Sequence, residues 1–144
     1  MKEPIRNITS ALKSINDVGY THNDIQPCNV YLHRHRNDGT YSVKLSGFSK
    51  CQPIATQEFN SLNTASYELE EQNPLTKAPE VLLTGGVRTS TASDVWSLGV
   101  MIYALGCGRL PFRTVAQVLD SPLSWTPYET AGVHLSESFK HLVT

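Results

Sequence analysis

A chain of 144 residues, 40% apolar and 17% charged, is sized for one globular domain with a sizeable core. Its net charge of −1 gives no field-driven hold on nucleic acid or an anionic membrane. Three scattered cysteines, Cys28, Cys51 and Cys107, exclude a disulfide framework and read as reduced thiols in an intracellular, cytoplasmic setting. The opening MKEPIRNITS has no apolar signal core, so the sequon at Asn7-Ile8-Thr9 is expected to go unused.

Taken in chain order, Ile5, Ile8, Leu12, Ile15 and Val18 recur at steps of three and four, which predicts a helix with one apolar face, stopped by Gly19. Val30 to Leu32 and Tyr41 to Leu45 read as strands, and Asn37-Asp38-Gly39 between them as the turn of a hairpin. His33, Arg34, His35 and Arg36 lie on its approach. His33 and His35 share a strand face, a spacing open to a metal, but no third ligand is near and the stretch reads as a solvated arm.

The stretch from Asp94 to Leu105, DVWSLGVMIYAL, has almost no polar side chain. A helix that is apolar all round is buried all round or spans a bilayer. The eleven residues from Val95 to Leu105 fall short of the about 20 that a span needs. Ser93 and Asp94 supply a helix start, and Gly106 and Gly108 a stop. We therefore expect a central helix buried on every side. Beyond it, Val115, Val118 and Leu119 predict a short amphipathic helix, and a last helix opens near Ser136. Trp125 and Tyr128 between them suit packing or a docking surface.

The stretch from His22 to Asn29, HNDIQPCN, resembles the catalytic loop H-R-D-L-x-x-x-N of eukaryotic protein kinases. Four further stretches follow in that family's order. Lys44 to Ser49 (KLSGFS) stands where the metal-binding D-F-G motif belongs, and Pro74 to Glu80 (PLTKAPE) resembles the docking loop that ends in A-P-E. Asp94 to Val100 is similar to the start of the family's large buried helix, and Gly108 to Phe112 to the turn after it. The resemblance covers residues 5–112, with 113–144 as a weakly assigned tail. It implies a mainly α fold with a small β-hairpin, the C-terminal lobe of a kinase domain over 1–144. Pro27 resembles the serine/threonine branch. No glycine-rich phosphate loop and no V-A-I-K-like lysine precede Ile5, so an N-terminal lobe is expected to be absent, and with it half of the nucleotide pocket.

Each role below is what the resemblance implies. Asp24 takes the place of the residue that accepts the substrate hydroxyl proton, and Asn29 that of the asparagine on the second magnesium. His22 resembles the structural histidine that packs under Phe48. Asp94 caps its helix and holds backbone amides around His22, and Glu80 enters a buried ion pair whose arginine is expected beyond Thr144. Stranding such a glutamate costs about 3–5 kcal/mol, unless Glu80 finds another cation or is wetter here; together with the exposed lobe-facing surface it motivates an expectation of marginal stability.

Three positions depart from the pattern where it handles metal and phosphate, and a fourth, Asn23, where it is regulated. Gly47 replaces the aspartate that chelates magnesium, Gln26 the lysine that neutralises the transferred phosphate, and Ser49 the last glycine of D-F-G. Loss of one preorganised electrostatic stabiliser typically costs about 10²–10³ in rate, and kinases work almost wholly by positioning and charge stabilisation. Asn23 stands where many kinases carry an arginine that receives a phosphate on the activation segment, a charge asparagine cannot neutralise. That segment carries Thr56, Ser61, Thr64, Ser66 and Tyr67 as modifiable groups beside Glu68, Glu70 and Glu71.

Three readings follow. One is an inactive kinase-like module that binds protein partners, such as an active kinase or a kinase substrate. Another is a non-functional or misannotated fragment of a longer kinase-like gene. The third is a serine/threonine kinase once joined to an N-terminal lobe, using ATP and magnesium. For the isolated chain no cofactor is expected, and neither nucleic acid nor membrane as partner.

Overall fold

The computed structural model describes residues 2–36, 39–54, 73–86, 89–125, 136, 137 and 140. Helix α1 spans Lys2–Asp17. Pro4 falls in its first turn, where the missing N–H has no intrahelical partner to lose. Ile8 and Leu12 are buried on one face, with Ile5 packed beside them. Gly19 takes φ +84° and its N–H returns to the Asn16 carbonyl at 2.9 Å. This turn carries Val18 off the apolar face into solvent, so the predicted face ends at Ile15.

Strand β1 (Tyr20–Thr21) enters the loop, and β2 (Val30–Arg34) and β3 (Tyr41–Leu45) leave it as an antiparallel hairpin. Val30 stands opposite Leu45 and Arg34 opposite Tyr41. The hairpin is the one the alternation predicts, its first strand two residues longer. The turn residues Asn37 and Asp38 lie outside the described residues. A second ladder was not foreseen: β4 (Gln52–Pro53) pairs antiparallel with β1, Tyr20 opposite Pro53.

Helices α2 (Pro79–Leu83), α3 (Thr91–Cys107) and α4 (Val115–Asp120) follow. Ser90 caps α3: its Oγ accepts the Ser93 N–H at 3.1 Å, and the Ser93 Oγ accepts the Ser90 N–H at 2.9 Å. The cap is thus Ser90 and not Asp94, which lies within the first turn and is left to reach elsewhere. Gly106 is inside the helix, and Gly108 at φ +71° closes it.

Among the described residues, Val95 and Leu105 are 59% and 53% exposed, which corrects the expectation of a helix buried on every side. The packing partners explain this. α1, β1 and a 3₁₀ turn at Pro74–Thr76 lie against α3 and leave those two outer positions bare.

Ile8 and Leu12 of α1, Ile25 of the loop, and Leu98, Met101 and Ile102 of α3 form the core. Val30, Val43 and Leu45 of the hairpin pack on it. Each fully buried aliphatic side chain contributes about 1.5–3 kcal/mol, so Ile25 seats the loop between two helices. Tyr103 is buried, with its hydroxyl donating to the Ser124 carbonyl at 3.0 Å and its ring 5.0 Å from that of Trp125. Trp125 therefore packs on α3, while Tyr128 lies outside the described residues. The short helix α4 is the predicted one, capped by Thr114 and burying Val118. Among the described residues no helix is long and apolar enough to cross a membrane.

Candidate functional site

The loop from His22 to Asn29 is held at its base by one carboxylate. Asp94 Oδ2 accepts the His22 N–H at 2.7 Å, and Asp94 Oδ1 accepts the Asn23 N–H at 2.8 Å. Asp94 is 1% exposed. Burial pushes its carboxyl above the ordinary aspartate value, against the pull of the two amides, the His22 ring and Lys77. The His22 ring is fixed from both sides. Its Nδ1 accepts the Asp24 N–H at 3.2 Å, which leaves the hydrogen on Nε2 to donate to the Ser46 carbonyl at 2.9 Å. Its ring centroid lies 5.1 Å from that of Phe48, the two planes tilted by 56°. The two rings are thus in contact, with His22 fully buried and Phe48 half exposed.

Asp24 is 8% exposed, and each of its carboxylate oxygens has an amide donor. Oδ1 accepts from Gln26 Nε2 at 3.0 Å and Oδ2 from Asn29 Nδ2 at 2.8 Å. The same Asn29 nitrogen also donates to the Asp24 carbonyl at 2.8 Å. A 3₁₀ turn over Pro27–Asn29 brings these three side chains together, and Ile25 anchors the stretch in the core.

Gly47 lies beside them at φ +81°, in the left-handed region. A Cβ at this position overlaps the Asn29 carboxamide. Asn29 has folded into the space that a side chain at 47 needs. A magnesium ion takes oxygen ligands in a near-octahedral set. Here position 47 offers no side-chain oxygen, Asn29 turns its N–H groups toward Asp24, and both Asp24 oxygens already accept amides. The donors present do not fit the ion that the motif is built to hold. Among the described residues no three His, Cys, Asp or Glu side chains converge for a metal. His33 and His35 stack edge to face at 5.1 Å, and the His35 Nε2 lies 3.1 Å from the Ser42 hydroxyl.

Asn23 is a junction at φ +65°. Its Nδ2 donates to the Lys50 carbonyl at 3.0 Å, and its own carbonyl accepts from Lys77 Nζ at 2.9 Å. Lys77 is the residue that sequence reasoning passed over. It stands inside the PLTKAPE stretch, yet it is 8% exposed. Burial lowers its pKa below 10.5, and the Lys50 charge pushes the same way while Asp24 and Asp94 oppose. The available signal was a lysine flanked by Ala78 and Pro79, at the foot of the apolar helix α2. The modifiable groups between Thr56 and Tyr67, with Glu68, Glu70 and Glu71, lie outside the described residues.

Glu80 is exposed on α2, the wetter of the alternatives, so the cost of a stranded buried charge does not arise. The neighbouring Ala78 and Val81 are buried instead.

A family model described as protein kinase domain matches residues 1–143. Serine/threonine-protein kinase TOS3 of Saccharomyces cerevisiae is 30% identical over 152 aligned residues, covering 94% of this chain and 26% of the relative. Maternal embryonic leucine zipper kinase of Danio rerio is 36% identical over 108 residues, covering 74% of this chain and 14% of the relative. The crystal structure of the Rad53 kinase domain and SCD2 in complex with AMPPNP superimposes with a TM-score of 0.67 at 22% identity, over 99% of this chain and 50% of that one. The chain thus spans about a quarter or less of these two relatives and half of the solved chain, over which it has a kinase-domain fold.

Proposed function

The chain belongs to the protein kinase domain family, and from that premise we propose that it is a C-terminal lobe which no longer transfers phosphate and acts by binding other proteins. One observation carries this reading: Asn29 fills the side-chain space at Gly47 while Asp24 has both oxygens engaged by amides. The proton acceptor, the magnesium ligand and the phosphate-neutralising cation of the motif are respectively tied up, missing and replaced by the neutral Gln26. Two lost electrostatic stabilisers, at about 10²–10³ each, take an enzyme of about 1–100 turnovers per second close to silence. The partners suited to such a lobe are proteins, an active kinase or a kinase substrate, in an intracellular setting.

Asp24 and Asn29 remain at the motif positions, and they favour a second reading. In it the chain is part of a serine/threonine kinase that uses ATP and magnesium once an N-terminal lobe is joined to it.

Calorimetric titration of ATP with magnesium into the 144-residue chain tests the first reading. It predicts no magnesium-dependent heat of binding. Saturable binding that needs magnesium and is lost on Asn29→Ala contradicts it.

A further inference from the structure

The misfit between this loop and a metal ion has a constructive side. A buried carboxylate left without donors costs more than the bonds it forms would contribute. Asp24 is buried, lacks a lysine at position 26 to oppose its charge, and faces a glycine at 47. Yet its oxygens are satisfied from within five residues of sequence, by Gln26 and Asn29. The Asn29 carboxamide that bonds Asp24 lies where a Cβ on residue 47 would sit.

We propose that Gly47, Asn29, Gln26 and Asp24 are one structural unit, an amide clasp that holds the loop in shape without metal or nucleotide. The clasp and any side chain at position 47 exclude each other. Gly47 is then a requirement of this loop's present fold, in addition to marking a lost ligand. The inference concerns the same site as the inactive reading and rests on its assignment of the loop. Its test reads stability and amide protection, so it stands or fails separately from phosphate transfer.

The test is a cycle of four full-length proteins: the parent chain, Gly47→Ala, Asn29→Ala and the double variant, compared by melting temperature without metal or nucleotide. In the parent background Gly47→Ala meets both the left-handed backbone and the Asn29 carboxamide, and a loss of about 4–8 °C is expected. In the Asn29→Ala background only the backbone cost remains, so the further loss falls to less than half of that. Equal losses in the two backgrounds overturn the proposal.

Should Gly47→Ala fail to fold, exchange of the side-chain amide hydrogens in the parent chain decides. The Asn29 and Gln26 NH2 groups are expected to be protected at least about tenfold relative to a free carboxamide, and to lose that protection together in Asp24→Ala, which removes both acceptor oxygens. Exchange at the free rate in the parent chain overturns the proposal.

Discussion

Asp94 Oδ2 accepts the backbone N–H of His22 at 2.7 Å, joining the start of α3 to the loop across 72 residues of sequence. With Oδ1 on the Asn23 amide, one side chain holds two successive backbone N–H groups at the base of the candidate site. Bonds to a charged acceptor contribute about 1.5–3 kcal/mol each, and an amide in place of the carboxylate turns one acceptor into a donor. Asp94→Asn is therefore predicted to lose about 2–4 kcal/mol of unfolding free energy. Urea denaturation of the two proteins measures it, and a loss under about 0.5 kcal/mol, the scale of ordinary surface changes, contradicts the assignment.

Asp24→Asn is predicted to behave as a structural variant. The substitution sets an NH2 group against either the Gln26 or the Asn29 donor, leaving a buried polar group unpaired at about 1–3 kcal/mol. A fall in urea midpoint is the expected result. Unchanged stability would mean that the two amides contribute nothing to holding Asp24.

Lys77 gives a signed pH dependence. Burial places its folded pKa below 10.5. Between that lowered value and 10.5 the unfolded chain still holds the proton and the folded chain does not. The folded state therefore gains stability from this group as pH rises through the window. Lys77→Met is predicted to flatten that part of the profile, followed by denaturation at a series of pH values from about 8 to 10.5. The same slope in both proteins contradicts a depressed Lys77.

Glu80 offers the contrast. It is exposed on α2, so Glu80→Gln is predicted to change stability by no more than about 0.5 kcal/mol. A loss in the range of a broken buried pair, about 3–5 kcal/mol, contradicts that placement. The expectation of marginal stability rested partly on a stranded Glu80, and that part of its motive is removed.

What could be read from the sequence follows physical range. α1, the hairpin, α3 and α4 are written in local spacing, and each appears where Ile8 and Leu12, Val30 and Leu45, Met101, and Val118 place it. The pairing of β1 with β4 joins Tyr20 to Pro53 through two residues a side, too short for any alternation to show. The site divides the same way. Its motif positions are legible by resemblance, from Asp24 to Asp94. That Gln26 and Asn29 close on Asp24 is a matter of side-chain rotamers, and Asn29 takes its seat only because Gly47 is bare. Lys77 is hidden for a related reason: a lysine inside a loop motif reads as solvated until the Asn23 carbonyl is found 2.9 Å from its ammonium. Val95 and Leu105 show the limit of composition, because an all-apolar helix surface says nothing of which neighbours cover it.

The most direct measurement of the central claim is transfer of labelled γ-phosphate from ATP to a generic acceptor protein, with magnesium, by the 144-residue chain beside its Asp24→Asn variant. The account predicts the same background in both. Transfer by the parent chain above that background, abolished in Asp24→Asn, would contradict it and establish a working kinase site.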